Sequence, residues 1–264
     1  MVRRFLLILC CLTMLTLTAT AQTADEVVNK HIQARGGIEK LKAVKTIRYT
    51  GKMIVGEGLE APSVMEQKRP NSMRLEFTIQ GLTGIQAYDG KTGWMVMPFG
   101  GKKDPELMGE DQLKSVIEEA DFDGPLVDYK EKGNKVEFLG KEPVEGTDAY
   151  KLKVTLKNGD VDYLYLDTDS YLQLKQESKR TIRGTERDSE TTLGDYKEVE
   201  GLVIPFSFEA SVKGVPQKQK IVIEKVEINP ALDDARFKMP EVKKEEPKPD
   251  EKKVEGKKPP EEKQ

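Results

Sequence analysis

Residues 73–99 read MRLEFTIQGLTGIQAYDGKTGWMVMPF, and the fold class turns on this stretch. Met73, Leu75, Phe77 and Ile79 alternate with Arg74, Glu76, Thr78 and Gln80. A period of two marks a half-buried antiparallel strand. Tyr88-Asp-Gly-Lys-Thr-Gly-Trp94 follows as a turn-rich link to another strand. Trp94 to Phe99 is then apolar on both faces, so Trp94, Met95, Val96, Met97 and Phe99 cannot all enter one thin core. Thioether side chains are unbranched and adaptable, and they recur where variable apolar partners must be accepted. The expectation is a curved sheet whose concave face holds a hydrophobic ligand. Its wall would be Met53, Met65, Met73, Leu75, Phe77, Trp94, Met95, Met97 and Phe99. The plainer alternative is that these methionines fill gaps in a closed core, and which side chains of Trp94–Phe99 face inward stays open.

Working outward, strand patterns dominate both flanks. Upstream, Thr23 with Glu26 three residues on forms a capping box. It opens a helix that points Val27, Val28, Ile32 and Ala34 inward and ends at Gly36-Gly37. A short helical turn over Ile38–Ala43 follows, then strands over Val44–Val55, Ser63–Lys68 and Ser72–Ile79. Gly56-Glu-Gly-Leu-Glu-Ala61 formally matches a dinucleotide loop, but Pro62 and the strand-like residues after it deny the required helix. Downstream, Leu107, Met108, Leu113, Val116, Ile117 and Ala120 recur near helical spacing, which predicts one mid-chain helix over Pro105–Phe122. Preceded by Gly100-Gly101, it is a candidate lid whose inner face is Leu107, Met108, Leu113, Val116 and Ile117. Further strands are expected over Lys135–Leu139, Tyr150–Leu156, Val161–Leu166, Tyr171–Glu177, Leu202–Val212 and Lys218–Ile228. A charged loop is expected over Gly140–Asp148 and an Asn-Gly hairpin over Lys157–Asp160.

The ends carry a different composition. Residues 1–21 read as a secretory signal: Arg3 and Arg4, an apolar run from Phe5 to Leu17, and Ala19-Thr20-Ala21 as the cleavage site. The run is too short for a convincing membrane span. Both cysteines, Cys10 and Cys11, lie inside it, so the mature chain is expected to have no disulfide, thiol nucleophile or cysteine metal site. Residues 241–264 are dominated by Lys, Glu and Pro and are expected to be a disordered tail. Residues 22–240 remain as one domain. The formal charge of −3 among 264 residues points away from nucleic acid. His31, the single histidine, has no motif around it and reads as a packing residue.

No nucleophile elbow, phosphate loop or histidine metal pattern is present. No cofactor is expected. Carboxylates are abundant, and paired carboxylates of a hydrolase are not excluded by sequence, but they occupy polar strand positions and turns. The expectation is a protein without enzymatic activity.

The order of segments resembles the outer-membrane lipoprotein-sorting protein family, the LolA/LolB-like group. The likeness is carried by Ala34-Arg-Gly-Gly-Ile-Glu-Lys-Leu-Lys-Ala-Val44, Lys68-Arg-Pro-Asn-Ser-Met-Arg74, Tyr88-Asp-Gly-Lys-Thr-Gly-Trp94, Tyr165-Leu-Asp-Thr-Asp-Ser170, Gly201-Leu-Val-Ile-Pro205 and Phe237-Lys-Met-Pro240. The resemblance implies a mainly β (α+β) fold. Its core would be a curved antiparallel half-barrel with an N-terminal helix and a mid-chain helical lid over a hydrophobic cavity. It also implies a periplasmic carrier for lipoprotein acyl chains or another lipid, with an inner-membrane donor and an outer-membrane acceptor. An envelope sensor whose output is a partner protein is the competing function. The chain differs from the best-known carriers in having one mid-chain helix, a charged tail and no lipid-attachment cysteine box.

Overall fold

The computed structural model describes residues 22–56, 58–182 and 185–241. The expected leader and nearly all of the expected tail lie outside the described residues. The chain opens with α1 (Ala24–Ala34) and α2 (Ile38–Ala43). Thr23 caps α1 as anticipated: its hydroxyl accepts from the Glu26 amide, and the Glu26 carboxylate accepts from the Thr23 amide. Gly36 separates the helices at φ 117°, a conformation open to glycine, and a Cβ there would lie 2.4 Å from the Gly201 carbonyl oxygen.

Thirteen strands then form one antiparallel sheet. They are β1 (Thr46–Val55), β2 (Leu59–Lys68), β3 (Ser72–Ile79), β4 (Leu82–Tyr88), β5 (Gly93–Val96), β6 (Glu106–Leu107), β7 (Lys135–Val144), β8 (Thr147–Thr155), β9 (Val161–Asp167), β10 (Gln173–Ile182), β11 (Thr185–Val199), β12 (Leu202–Val212) and β13 (Gln219–Ile228). The spatial order is β6-β5-β4-β3-β2-β1-β13-β12-β11-β10-β9-β8-β7. Strands near the two ends of the domain, β1 and β13, therefore pair in the middle. The edges β6 and β7 do not pair with each other, so the sheet curls into an open half-barrel rather than closing.

The helix α3 (Glu110–Glu119) lies between the two edge strands in sequence and joins β3 and β4 to the β9–β10 side of the sheet in space. Its inner residues Leu113, Val116 and Ala120 pack with Met73 and Tyr88 on β3 and β4. Lys114 pairs with Asp160 at 2.6 Å, and Glu118 accepts two hydrogen bonds from Arg180 of β10 at 3.0 and 2.9 Å. The main core lies at the opposite end of the sheet. There Val27, Val28 and Ile32 of α1 and the buried Leu126 and Val127 meet β8, β9 and β12.

Two sequence expectations are corrected here. The mid-chain helix starts at Glu110 rather than Pro105, because residues 106 and 107 pair with β5 as an edge strand. The charged loop expected over Gly140–Asp148 is mostly strand: β7 runs to Val144 and turns through Glu145 (φ 48°) and Gly146 (φ 87°). Two successive positive φ values make the tight hairpin that usually carries Asn-Gly, which is why Glu-Gly did not announce it.

Candidate functional site

The concave face encloses a cavity of about 720 Å³. Its wall is built by cross-strand rows. Tyr49, Met65, Leu75 and Gln86 are successive partners across β1 to β4, so their side chains share the inner face. Met53, Phe77, Ile79, Leu193, Phe208 and Ile221 add to the apolar part. Further parts of the wall come from the helical end, through His31, Arg35 and Leu41, and from the end of α3 and the segment after it, through Glu119, Phe122 and Asp123. The volume sits in the upper part of the usual small-ligand range of about 300–1,000 Å³.

Of the wall residues expected from sequence, Met53, Met65, Leu75 and Phe77 line this cavity. Met73 is fully buried under α3, in a cluster with Tyr88, Val116 and Ala120, and fills core space. Trp94 is on the other face. It pairs with Ala87 across β4 and β5, its indole N–H donates to the Phe237 carbonyl at 2.8 Å, and Arg74 lies over its ring. The segment around Phe237 thus covers the convex face, where a second hollow of about 420 Å³ lies between Trp94 and Met239. Met95 ends the row Met65-Leu75-Gln86, one strand beyond the wall, and Met97 is half-buried ahead of the Pro98–Gly100 turn. Phe99 stacks on Phe77 with centroids 5.6 Å apart but is exposed and does not line the cavity.

The expected lid residues divide likewise. Leu113 and Val116 face inward, and Met108 packs with them ahead of the helix. Leu107 pairs with Trp94, which puts it on the convex face, 64% exposed. Ile117 lies on the outer side of α3. Gly93 makes the close seat: a Cβ there would meet Leu113 at 2.7 Å.

Several polar residues of the site carried no sequence signal. Arg69 sits in the β2–β3 turn and forks onto Asp123 with bonds of 2.6 and 2.5 Å. It also donates to the Val44 and Leu41 carbonyls at 2.6 and 3.0 Å and lies over the Phe122 ring. One side chain therefore fastens the segment after α3 to the end of α2. Burial alone would push the Asp123 carboxyl up; the Arg69 hydrogen bonds and charge outweigh it and hold it below the ordinary value. Gln67 adds a bond from its amide to the Glu119 carbonyl at 2.7 Å. Glu119 is exposed toward the open cavity, and the surrounding protein atoms, with the charge of Glu118, raise its carboxyl to about 7. His31, expected as a packing residue, is buried, with Nδ1 2.8 Å from the Tyr171 carbonyl, so Nδ1–H is the donor. Burial, with the charge of Arg35, lowers it to about 4.

The overall fold is shared with solved structures. A LolA superfamily protein from Nitrosomonas europaea superposes with a TM-score of 0.57 at 14% identity, covering 83% of this chain and 98% of the other. The chain has the LolA-like fold. A DUF1329 family protein from Desulfovibrio piger superposes with a TM-score of 0.59 at 11% identity, with the same coverages of 83% and 98%. No protein-family model matches the chain, and no curated protein matches it in sequence. Among the described residues no helix is long and apolar enough to cross a membrane, and no cluster of His, Cys, Asp and Glu could hold a metal ion.

Proposed function

We propose that this LolA-like chain is a periplasmic carrier that holds an acyl chain of a lipoprotein or another lipid in the concave cavity and hands it on, without enzymatic activity. The observation that carries the reading is the enclosed apolar wall, with α3 and the segment after it tied to the sheet at Asp160, before β9, and at Arg69, in the β2–β3 turn. Burying an acyl chain gains about 0.8 kcal/mol per CH₂, so a sixteen-carbon chain is worth on the order of 10 kcal/mol relative to water. A bilayer offers about the same. The cavity is therefore suited to shielding a chain passed to it by an inner-membrane donor and releasing it to an outer-membrane acceptor. Residues 1–21 would direct export and be removed, 22–240 would form the carrier domain, and 241–264 would be a solvated tail. Met53, Met65, Leu75 and Phe77 would contact the chain.

Mass spectrometry of organic extracts tests this, on protein exported through its own leader and purified without detergent. Stoichiometric lipid or acylated peptide supports the carrier reading. A lipid-free protein that also refuses an added fluorescent fatty acid refutes it and favours a sensor that acts through a protein partner.

A further inference from the structure

The helical end of the cavity contains a cation that no described residue neutralises. Arg35 is the C-cap of α1 and lines the cavity. Its backbone is fixed: its N–H donates to the His31 carbonyl and its C=O accepts from Val203 N–H at 3.1 Å. Its guanidinium makes no hydrogen bond or ion pair with any described residue. Arg69 and Arg180, by contrast, are matched: Arg69 by Asp123 and Arg180 by Glu118 and Asp162. The acids that share the wall do not answer Arg35. Asp123 is already engaged by Arg69, and Glu119 sits by Gln67 on the lid side.

Around Arg35 stand three groups that feel its charge: the phenols of Tyr49 and Tyr196 and the imidazole of His31. The Tyr196 hydroxyl donates to the Gln173 carbonyl at 2.6 Å, whereas the Tyr49 hydroxyl has no partner among the described residues. Enclosure raises Tyr49 to about 12, so it stays a neutral donor. An unmatched guanidinium that shares the wall with a free hydroxyl donor matches an oxyanion, since guanidinium N–H groups bind carboxylate in a charge-assisted, bidentate manner. The rest of the wall, from Met53 to Phe77 and Ile221, suits a hydrocarbon chain.

We infer that Arg35 and Tyr49 form an oxyanion subsite at the helical end of the cavity, so that the ligand taken up is a single-chain lipid with a free acid headgroup, a fatty acid or close analogue. This rests on the carrier reading above. A neutral chain of the same length would fill the apolar wall but leave Arg35 unmatched. The alternative role for Arg35, a cation set against the negative end of the α1 dipole, would act on stability and not on the choice between headgroups.

The test is calorimetric titration of the full-length exported protein, after delipidation, with hexadecanoate and with hexadecan-1-ol at pH 8. Wild type is expected to bind the acid about ten- to a hundredfold more tightly, the range a hydrogen bond to a charged group is worth. Arg35→Gln should abolish that preference, bringing hexadecanoate affinity down to that of hexadecanol, and Tyr49→Phe should reduce it severalfold. Circular dichroism on each variant checks the fold, and Arg35→Lys, which keeps the charge, should retain part of the preference. Equal binding of acid and alcohol by wild type, or an undiminished preference in Arg35→Gln, overturns the subsite and leaves the carrier reading standing. Failure of wild type to bind either amphiphile overturns both.

Discussion

Arg69→Met tests whether one side chain fastens the cavity cover. The substitution keeps the aliphatic stem and removes the guanidinium. What is lost is countable: two bonds to Asp123, one each to the Val44 and Leu41 carbonyls, and the contact with the Phe122 ring at 4.4 Å. Leaving a fully buried partner charge unpaired costs about 3–5 kcal/mol. The Asp123 and Arg69 side chains are 13% and 21% exposed, so water recovers part of this, and roughly 2–3 kcal/mol is the fair share. The two carbonyls and the ring add about 1 kcal/mol more. The expected loss is about 3–4 kcal/mol, a large fraction of the 5–15 kcal/mol a domain possesses.

Urea unfolding followed by tryptophan fluorescence measures it, because Trp94 is buried beneath the segment around Phe237. The pH dependence separates the proposed cause from simple loss of contacts. In wild type the Asp123 carboxyl is depressed, so its contribution is present above the ordinary carboxylate value and fades as pH falls through the lower folded value. Without Arg69, burial pushes the same carboxyl up, and the deficit of the variant should shrink as pH falls from 7 toward 4. The double variant Arg69→Met/Asp123→Leu should recover most of the loss, with a coupling of roughly 2 kcal/mol in the double-mutant cycle. A loss below about 1 kcal/mol, or strictly additive single variants, would refute the argument that this pair holds the cover.

His31 has its folded pKa depressed to about 4, so neutral histidine is what the fold accepts; stability should be full above pH 6.5 and fall by roughly 3 kcal/mol as pH drops toward 4, a slope that His31→Gln removes in urea titrations. Glu119 is raised to about 7, the opposite sense: its contribution is present below the ordinary glutamate value and lost as pH rises through about 7, so Glu119→Gln should stabilise the protein at pH 8 and leave it unchanged at pH 4.5, read by thermal denaturation. Gly36→Ala would place a Cβ 2.4 Å from the Gly201 carbonyl at φ 117°; a loss of about 2–3 kcal/mol is expected in chemical denaturation, and a loss under about 0.5 kcal/mol would show that the α1–α2 junction yields easily.

The parts of this molecule that follow from local periodicity were legible in the sequence, and the parts fixed by register and closure were not. The alternation over 73–79 located β3 and its inner face because the period of two repeats within a few residues, and Thr23 with Glu26 located the start of α1 for the same reason. Trp94 to Phe99 is apolar on both faces, so alternation there is silent about direction. The inner face of that strand is chosen by the pairing of Ala87 with Trp94 and by the chain near Phe237, more than 140 residues away, which covers the indole. Leu107 and Met108 continue a helical spacing by chance. Edge pairing with β5 prevails over propensity at two residues, and the helix begins only where Gly109 can be bonded by the Gln112 side chain.

The polar half of the site was invisible for a different reason. Arg35 and Glu119 sit in sequence at the ends of amphipathic helices, where a charged residue is ordinarily solvated. Only the curvature of the sheet, with β11 and β12 brought round to face β1 and β2, turns those two positions into walls. The same curvature decides the chemistry. A flat sheet would give the methionines one apolar surface and the charges to water. A curled one encloses both, and so places the unmatched guanidinium of Arg35 within the same wall as the methionines.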